Sequence, residues 1–252
     1  MLSKRHADIL KILEADGSAT ISALAEKLGV SLETIRRDVR PLTEMGSITR
    51  IHGAVGLVGQ IGEAPFQKRM RENAAAKQSI ARNLAASIRD GESIMLDTGT
   101  TTSYIARELV GHRRLTVVTN STDIARTLAT QNGNRVYMAG GELRPDSGAA
   151  FGKSALDFIS RFTVNHAVIS AGAVDASGVM DYDLEEAEFA RLVLARGDRR
   201  IVVTDHTKFG RRGLIAVASF ADIDEIITDR PPHSDIAAVL AASETVLALS
   251  DG

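Results

Sequence analysis

Two sets of residues in this 252-residue chain have types and spacing suited to chemistry. The first is cationic. The stretch "SLETIRRDVRPL", residues 31–42, places Ile35, Val39 and Leu42 at i, i+4 and i+7, and puts Arg36, Arg37 and Arg40 on the other side of the helical wheel. Arg50 and His52 follow in "GSITRIHGAVGLVG", where alternation projects both the same way from a hairpin. Guanidinium groups presented like this can meet phosphates and the acceptor edge of guanine. An isolated charge run is more often a solvated helix face, so the neighbouring elements have to decide.

The second set lies in loops. "DTGTTTS" runs from Asp97 through Thr98, Gly99, Thr100, Thr101 and Thr102, and opens a helix. Gly99 lets the backbone come close, the threonines supply hydroxyls, and a helix start offers free N–H groups and a positive dipole end. That is a cradle for an anion, most often phosphate; threonines that simply cap a helix are the alternative. In "DHTKFG", Asp205 ends an apolar strand and Lys208 follows three residues later, as a mobile point charge for a phosphate or as a surface lysine paired with Asp205. In "GGELR", Gly140 and Gly141 imply tight backbone, and Arg144 can clamp an anion with both arms. Glu185, Glu186 and Glu188 read as a solvated helix face, with one carboxylate free to accept from sugar hydroxyls.

The elements that must position these groups follow from pattern. Ile9, Ile12 and Leu13 mark a first helix that stops at Gly17. "TISALAEKLGV" gives a short second helix, with Gly29 as a left-handed C-cap. Ser31 caps the third, with Thr34 in its first turn. Two short helices joined by a glycine turn, a preceding helix and a hairpin wing describe a winged helix-turn-helix, whose second motif helix enters the major groove. Ser31, Thr34, Arg36, Arg37, Arg40, Arg50 and His52 are then the expected DNA contacts, and a protein-binding winged helix is the rival. Pro41 should bend or end the third helix, since it removes the N–H that would bond the Arg37 carbonyl.

Residues 1–57 form this module. Residues 58–76 mix Gly, Pro and charge and read as a linker. From 77 to 252, helical and strand patterns alternate, and the strands "SIMLD", "LTVVTN", "RVYMAG", "HAVISAGA", "RIVVTD", "EIITD" and "TVLAL" are apolar enough to be buried on both faces. The fold class is therefore α/β: a mostly parallel sheet with helices on either side. Ligands bind beyond the carboxyl ends of such strands, where all the loops above fall.

Composition narrows the partners. The net charge is −2, and the first 72 residues hold 11 Lys and Arg against 9 Asp and Glu. DNA affinity must come from placement of charge, supplemented by paired half-sites on a homo-oligomer, a dimer or tetramer. There are no cysteines, which fits a reducing cytoplasm. No apolar run nears the roughly 20 residues that span a bilayer, and no signal-peptide pattern opens the chain. His6, His52, His112, His166, His206 and His233 lack ligand-like spacing, so neither a metal site nor a cofactor is expected.

"TIRRDV" followed by "GSITRIHGA" resembles the DNA-binding signature of the DeoR family of bacterial repressors. "DTGTTT", "VVTN", "GGELR", "ALDFIS" and "DHTKFGR" are similar to that family's effector-binding domain, so the resemblance spans essentially the whole chain. It implies a ribose-5-phosphate isomerase-like sensor fold and a repressor of sugar or glycerol catabolism that a phosphorylated metabolite releases from its operator. The most similar subgroup responds to glycerol 3-phosphate. By this analogy the phosphate sits on residues 98–102, Asn120 and Lys208 complete the pocket, and Asp97, Gly141, Arg144 and Asp205 lie around it. An isomerase or deaminase with an appended DNA module is the enzyme alternative. Those isomerases carry a dense acidic run where "SAGAVDASG" holds only Asp175, so the domain reads as a sensor without the base such chemistry needs.

Overall fold

In the computed structural model, which describes residues 3–16, 18–51, 54–57 and 63–250, the stripe Ile35, Val39 and Leu42 is wholly buried. It packs with Ile9, Leu13, Leu24, Ile48 and Val55 into the core of the first of two compact units, Met1–Ala64. Burying each such side chain is worth roughly 1.5–3 kcal/mol. The unit runs α1 (Lys4–Asp16), β1 (Ser18–Thr20), α2 (Ile21–Leu28), α3 (Leu32–Glu44), β2 (Ile48–Ile51) and β3 (Ala54–Leu57). Thr20 caps α2 by accepting from the Ala23 N–H at 3.1 Å. Gly29 ends it at φ +63°, and Ser31 caps α3 through the Thr34 N–H at 3.2 Å. The wing is antiparallel, β2 on β3, and β3 also pairs with β1. β1 gave no sequence signal, because three residues are too few to show alternation.

Pro41 does not end α3. The helix continues through it to Glu44, and the Met45 N–H bonds the Pro41 carbonyl at 2.9 Å. The expected stop fails for a packing reason: Leu42, one residue beyond, is fully buried, and its burial offsets the lost backbone bond. A second anchor is Asp38, buried on the core side of α3, which accepts from the Arg5 guanidinium on α1 and faces His6 at 4.0 Å. The Arg5 hydrogen bond holds its carboxyl below the usual carboxylate range.

The second unit, Pro65–Gly252, contains α4 (Phe66–Arg69), α5 (Ala74–Ser87), β4 (Ser93–Leu96), α6 (Thr100–Glu108), β5 (Thr116–Thr119), α7 (Thr122–Leu128), β6 (Arg135–Met138), α8 (Lys153–Ile159), β7 (Val164–Ser170), β8 (Ala173–Asp175), β9 (Gly178–Asp181), α9 (Leu184–Leu194), β10 (Gly197–Val203), β11 (Ile215–Ala218), β12 (Glu225–Thr228), α10 (Ser234–Ala241) and β13 (Val246–Leu249). Residues 65–76, read from composition as linker, belong to this unit and carry α4 and the start of α5.

Seven strands form one sheet in the order β13-β12-β10-β7-β4-β5-β6, and each neighbouring pair is parallel. Alternate side chains go to opposite faces, the period-2 rule for strands. Ile94, Leu96, Val117, Val168, Ile201 and Val203 pack with α5, α6 and α7. Met95, Val118, Ala167, Ile169 and Val202 pack with α8, α9 and α10. A small antiparallel sheet, β11-β9-β8, lies outside this pattern. Its strands are three and four residues long, too short to show alternation in the sequence. The hairpin between β8 and β9 closes at Gly178, with φ +126° and no room for a side chain against the Ala218 backbone.

Restoring the missing N–H in α3 should help the first unit. Pro41→Ala is expected to raise its unfolding free energy by about 1–3 kcal/mol, read as a higher thermal midpoint. An unchanged or lower midpoint would mean that the proline is needed for the packing of Leu42.

Candidate functional site

Strand order locates the crevice. β4, β5 and β6 run outward on one side of the sheet, and β7, β10, β12 and β13 on the other, so the order reverses between β4 and β7. In an open parallel sheet that switch point, beyond the carboxyl ends, is where ligands bind. The loops that meet there are residues 97–102 after β4 and 170–172 after β7, flanked by Asn120 after β5 and Asp205 after β10.

At the centre, Asp97 is buried and accepts from the Ser170 N–H at 2.9 Å, with the Ser170 hydroxyl at 3.3 Å. Gly99 is buried beside it in extended backbone. A Cβ on Gly99 would run into the Ser170 hydroxyl and lie 2.7 Å from its Cβ. Glycine here is thus a matter of close approach between two strand ends. Burial pushes the Asp97 carboxyl up to about 7, against the opposing pull of the Ser170 N–H. Near neutral pH this carboxyl is substantially uncharged, which lowers the repulsion an anion in the adjacent loop would otherwise meet.

The threonines divide by role. The Thr102 hydroxyl turns back to the Asp97 and Gly99 carbonyls, both at 3.0 Å. Thr98 donates to Asn120 Oδ1 at 2.8 Å. Thr100 and Thr101 are buried, carry no hydroxyl hydrogen bond to the described residues, and start α6, whose first N–H groups lack helical partners. Asn120 is fully buried and has both ends of its amide engaged: it accepts from Thr98 and donates to the Ala150 carbonyl at 2.9 Å. It positions the loop.

Asp205, also buried, accepts from the Thr207 N–H at 3.1 Å and hydroxyl at 2.6 Å, and from the Asn73 amide at 3.1 Å. It caps the single 3-10 turn His206–Lys208 that carries half-buried Lys208. β10 and β4 both flank β7, so the Lys208 loop and the threonine loop stand two strand spacings apart, about 10 Å. Gly141, at φ +151°, is exposed and turns the loop that returns to Asn120 through Ala150.

Arg144 departs from its expected role as an anion clamp. Its guanidinium is bound by Asp183 at 2.8 Å, Glu185 at 2.6 Å and Glu186 at 3.0 Å, and stacks 4.2 Å over the Phe151 ring. Three carboxylates leave no attraction for a fourth anion. This also explains the acidic run: Asp183 caps α9 and, with the two glutamates, serves Arg144, while Glu188 is exposed. The pairings of Ser170 with Asp97, Asn73 with Asp205 and Asp183 with Arg144 were not legible in the sequence, because the partners are 73, 132 and 39 residues apart.

The first unit presents its own surface. Arg36, Arg37, Arg40 and Arg50 are exposed. Arg36 and Arg50 line one cleft of about 540 Å³ with Thr20, Ser22 and Leu32. Arg36 pairs with Glu33 at 3.6 Å and Arg40 with Glu44 at 2.9 Å. Exposed pairs of this kind are worth at most about 1 kcal/mol, so both arginines remain exchangeable toward phosphate. Ser31 and Thr34 spend their hydroxyls on the cap and on each other, at 2.9 Å. His52 lies outside the described residues.

Two measurements probe the switch point. Gly99→Ala should lose about 1–3 kcal/mol of stability in the second unit through overpacking against Ser170, read by denaturant unfolding; a neutral result would show that the strand ends part easily. For Asp97 the folded value lies above the ordinary ~3.9. Its contribution is then full below about pH 4 and lost as pH rises through about 7. Relative to the parent, Asp97→Asn should gain stability as pH rises from about 4 to about 7, and the difference should level off above that. A pH-independent difference would place an ordinary carboxylate there.

Residues 72–230 match the family described as the DeoR C terminal sensor domain, and residues 5–60 match the DeoR-like helix-turn-helix domain. The chain is 33% identical to the glycerol-3-phosphate regulon repressor of Escherichia coli (strain K12), over 94% of this chain and 95% of that one. It is 32% identical to the HTH-type transcriptional repressor CsqR of the same organism, over 97% and 94%. It is also 32% identical to the glycerol-3-phosphate regulon repressor of Haemophilus influenzae, over 99% and 98%. Among solved structures, ribose 5 phosphate isomerase A from Neisseria gonorrhoeae aligns at a TM-score of 0.39 and 15% identity, over 54% of this chain and 53% of that one. No helix among the described residues is long and apolar enough to cross a membrane. The named relatives are repressors, and the enzyme alternative is set aside. With both domains matched and whole-chain identity above three in ten, the chain belongs to the DeoR family and is a transcriptional repressor, with a helix-turn-helix domain for DNA and a sensor domain for a small-molecule effector.

Proposed function

We propose that the effector is a phosphorylated metabolite of three to six carbons, with glycerol 3-phosphate as first choice, and that it releases the repressor from its operator. One observation carries the effector class. At the switch point, α6 begins with unpartnered N–H groups and two threonine hydroxyls that bond no described residue, beside a carboxyl that burial pushes up to about 7. Thr98, Gly99, Thr100, Thr101 and Thr102 cradle the phosphate, Asn120 and Asp205 hold the loops, and Lys208 supplies the mobile cation. The relatives named for the glycerol-3-phosphate regulon favour the three-carbon member.

On the DNA side, Arg36, Arg37, Arg40 and Arg50 meet base edges and phosphates, with α3 in the major groove. A homo-oligomer in the cytoplasm, a dimer or tetramer, pairs two modules on repeated half-sites. Linkage then requires that operator DNA weaken effector binding by the factor with which effector weakens operator binding.

Operator binding by the full chain, titrated with glycerol 3-phosphate, a panel of sugar phosphates and unphosphorylated glycerol, tests this. Release by a phosphorylated member and none by glycerol is expected. Lys208→Met should keep operator affinity and lose roughly ten- to a hundredfold in effector affinity, the worth of a charge-assisted contact. Release by glycerol itself, or an unaltered response in the Lys208 variant, would contradict the phosphate reading.

A further inference from the structure

The chain enters its sensor unit at Pro65. Residues 65–73 are held there by a few discrete bonds to elements of the switch-point region. The Phe66 N–H donates to Asp146 at 2.9 Å, in the loop after β6. The Met70 carbonyl accepts from the Tyr104 hydroxyl at 3.0 Å, on α6, the helix that the threonine loop opens. The Asn73 amide donates to Asp205 at 3.1 Å and to the Thr207 hydroxyl at 3.2 Å, in the loop that carries Lys208. Asn73 sits at φ +50°, a left-handed conformation that asparagine tolerates better than most residues.

Between these bonds the segment bridges open space. A cleft of about 670 Å³ separates α4 from α6 and α7, with Phe66, Met70, Arg71, Tyr104, Arg107 and Asp146 on its walls. Phe66 is buried, and buried Lys77 closes the turn by donating to the Arg69 and Glu72 carbonyls, while Gln67, Lys68, Arg71, Glu72 and Asn73 are exposed. A strap fixed at points can shift when those points shift, whereas a continuously packed helix resists.

We infer that residues 65–73 are the strap through which effector occupancy reaches the DNA-binding module, and that Asn73 is the positioning residue tying the strap to the effector loop. The inference rests on the reading of residues 98–102 and Lys208 as the effector site. Effector that draws Lys208 toward the threonine loop moves the 205–208 turn, and Asp205 takes the Asn73 amide with it. Tyr104 reports the start of α6 to the same strap by a second bond. The strap leads back in sequence to the DNA-binding module, so its position biases what the module can do. An effector shifts an equilibrium only through contacts that differ between states, and these two bonds are such contacts.

The test uses the full chain and glycerol 3-phosphate. Operator affinity is measured with and without the ligand, and ligand affinity by calorimetry, for the parent, Asn73→Gly and Tyr104→Phe. Asn73→Gly removes the amide and keeps the left-handed backbone accessible. Tyr104→Phe removes one hydroxyl and guards against a folding defect in the first variant. Parent coupling of the usual size, about 5- to 150-fold, should fall to within about threefold of unity in Asn73→Gly and fall partway in Tyr104→Phe. Operator affinity without ligand, and ligand affinity itself, should stay within about threefold of the parent. A merely structural role would lower stability or both affinities and leave the coupling intact, and parental coupling in both variants would overturn the inference. A parent that binds no glycerol 3-phosphate would overturn the effector reading itself and this inference with it; that outcome is distinguishable because it appears before any substitution.

Discussion

The close approach of two strand ends governs the sensor. β4 finishes at Leu96 and β7 at Ser170, adjacent and parallel, and the chain leaves them in opposite directions across the sheet. Gly99 presses against Ser170 where no side chain fits, and Asp97 takes the Ser170 N–H. This contact sets the turn from which α6 starts beyond the carboxyl end of β4. It also buries the Asp97 carboxyl, which would repel an anion there, and burial moves that group toward its neutral form. The anion cradle we propose at the switch point would therefore rest on sheet topology and one missing side chain, more than on any cation.

Cations are used sparingly, in line with a net charge of −2. Arg144, the guanidinium nearest to a textual match for a phosphate clamp, is given to three carboxylates and an aromatic ring. It holds the loop after β6 against α9, and that loop in turn holds Asn120. In the first unit the exposed arginines have only weak exposed pairs, while the buried Asp38 pairs with Arg5 across α1 and α3. Charge that orders the fold is thus separated from charge left for a partner.

Much of this was legible in the sequence where one period governs many residues. The α3 stripe, the wing and all seven parallel strands follow from spacing; the inner strands are buried on both faces as expected, but the edge strands β6 and β13 leave Tyr137, Val246 and Leu249 exposed, because each has a neighbour on one side only. The family signature added the identity of the module and the loops. What stayed hidden depends on contacts distant in sequence. Asn73 against Asp205 and Ser170 against Asp97 have no local pattern. The Arg144 pairing could be guessed from neither "GGELR" nor "DLEE" alone. Pro41 misled because a local rule about helices was overruled by burial of Leu42, and 65–76 misled because composition cannot see that Phe66 and Lys77 are buried.

The most direct measurement is a crystal structure of the repressor with glycerol 3-phosphate. The phosphate oxygens should lie about 2.7–3.2 Å from the first N–H groups of α6 and from the Thr100 and Thr101 hydroxyls, with Lys208 Nζ turned toward them. A phosphate bound instead at Arg144, or in the cleft beside Arg71 and Arg107, would contradict the switch-point account.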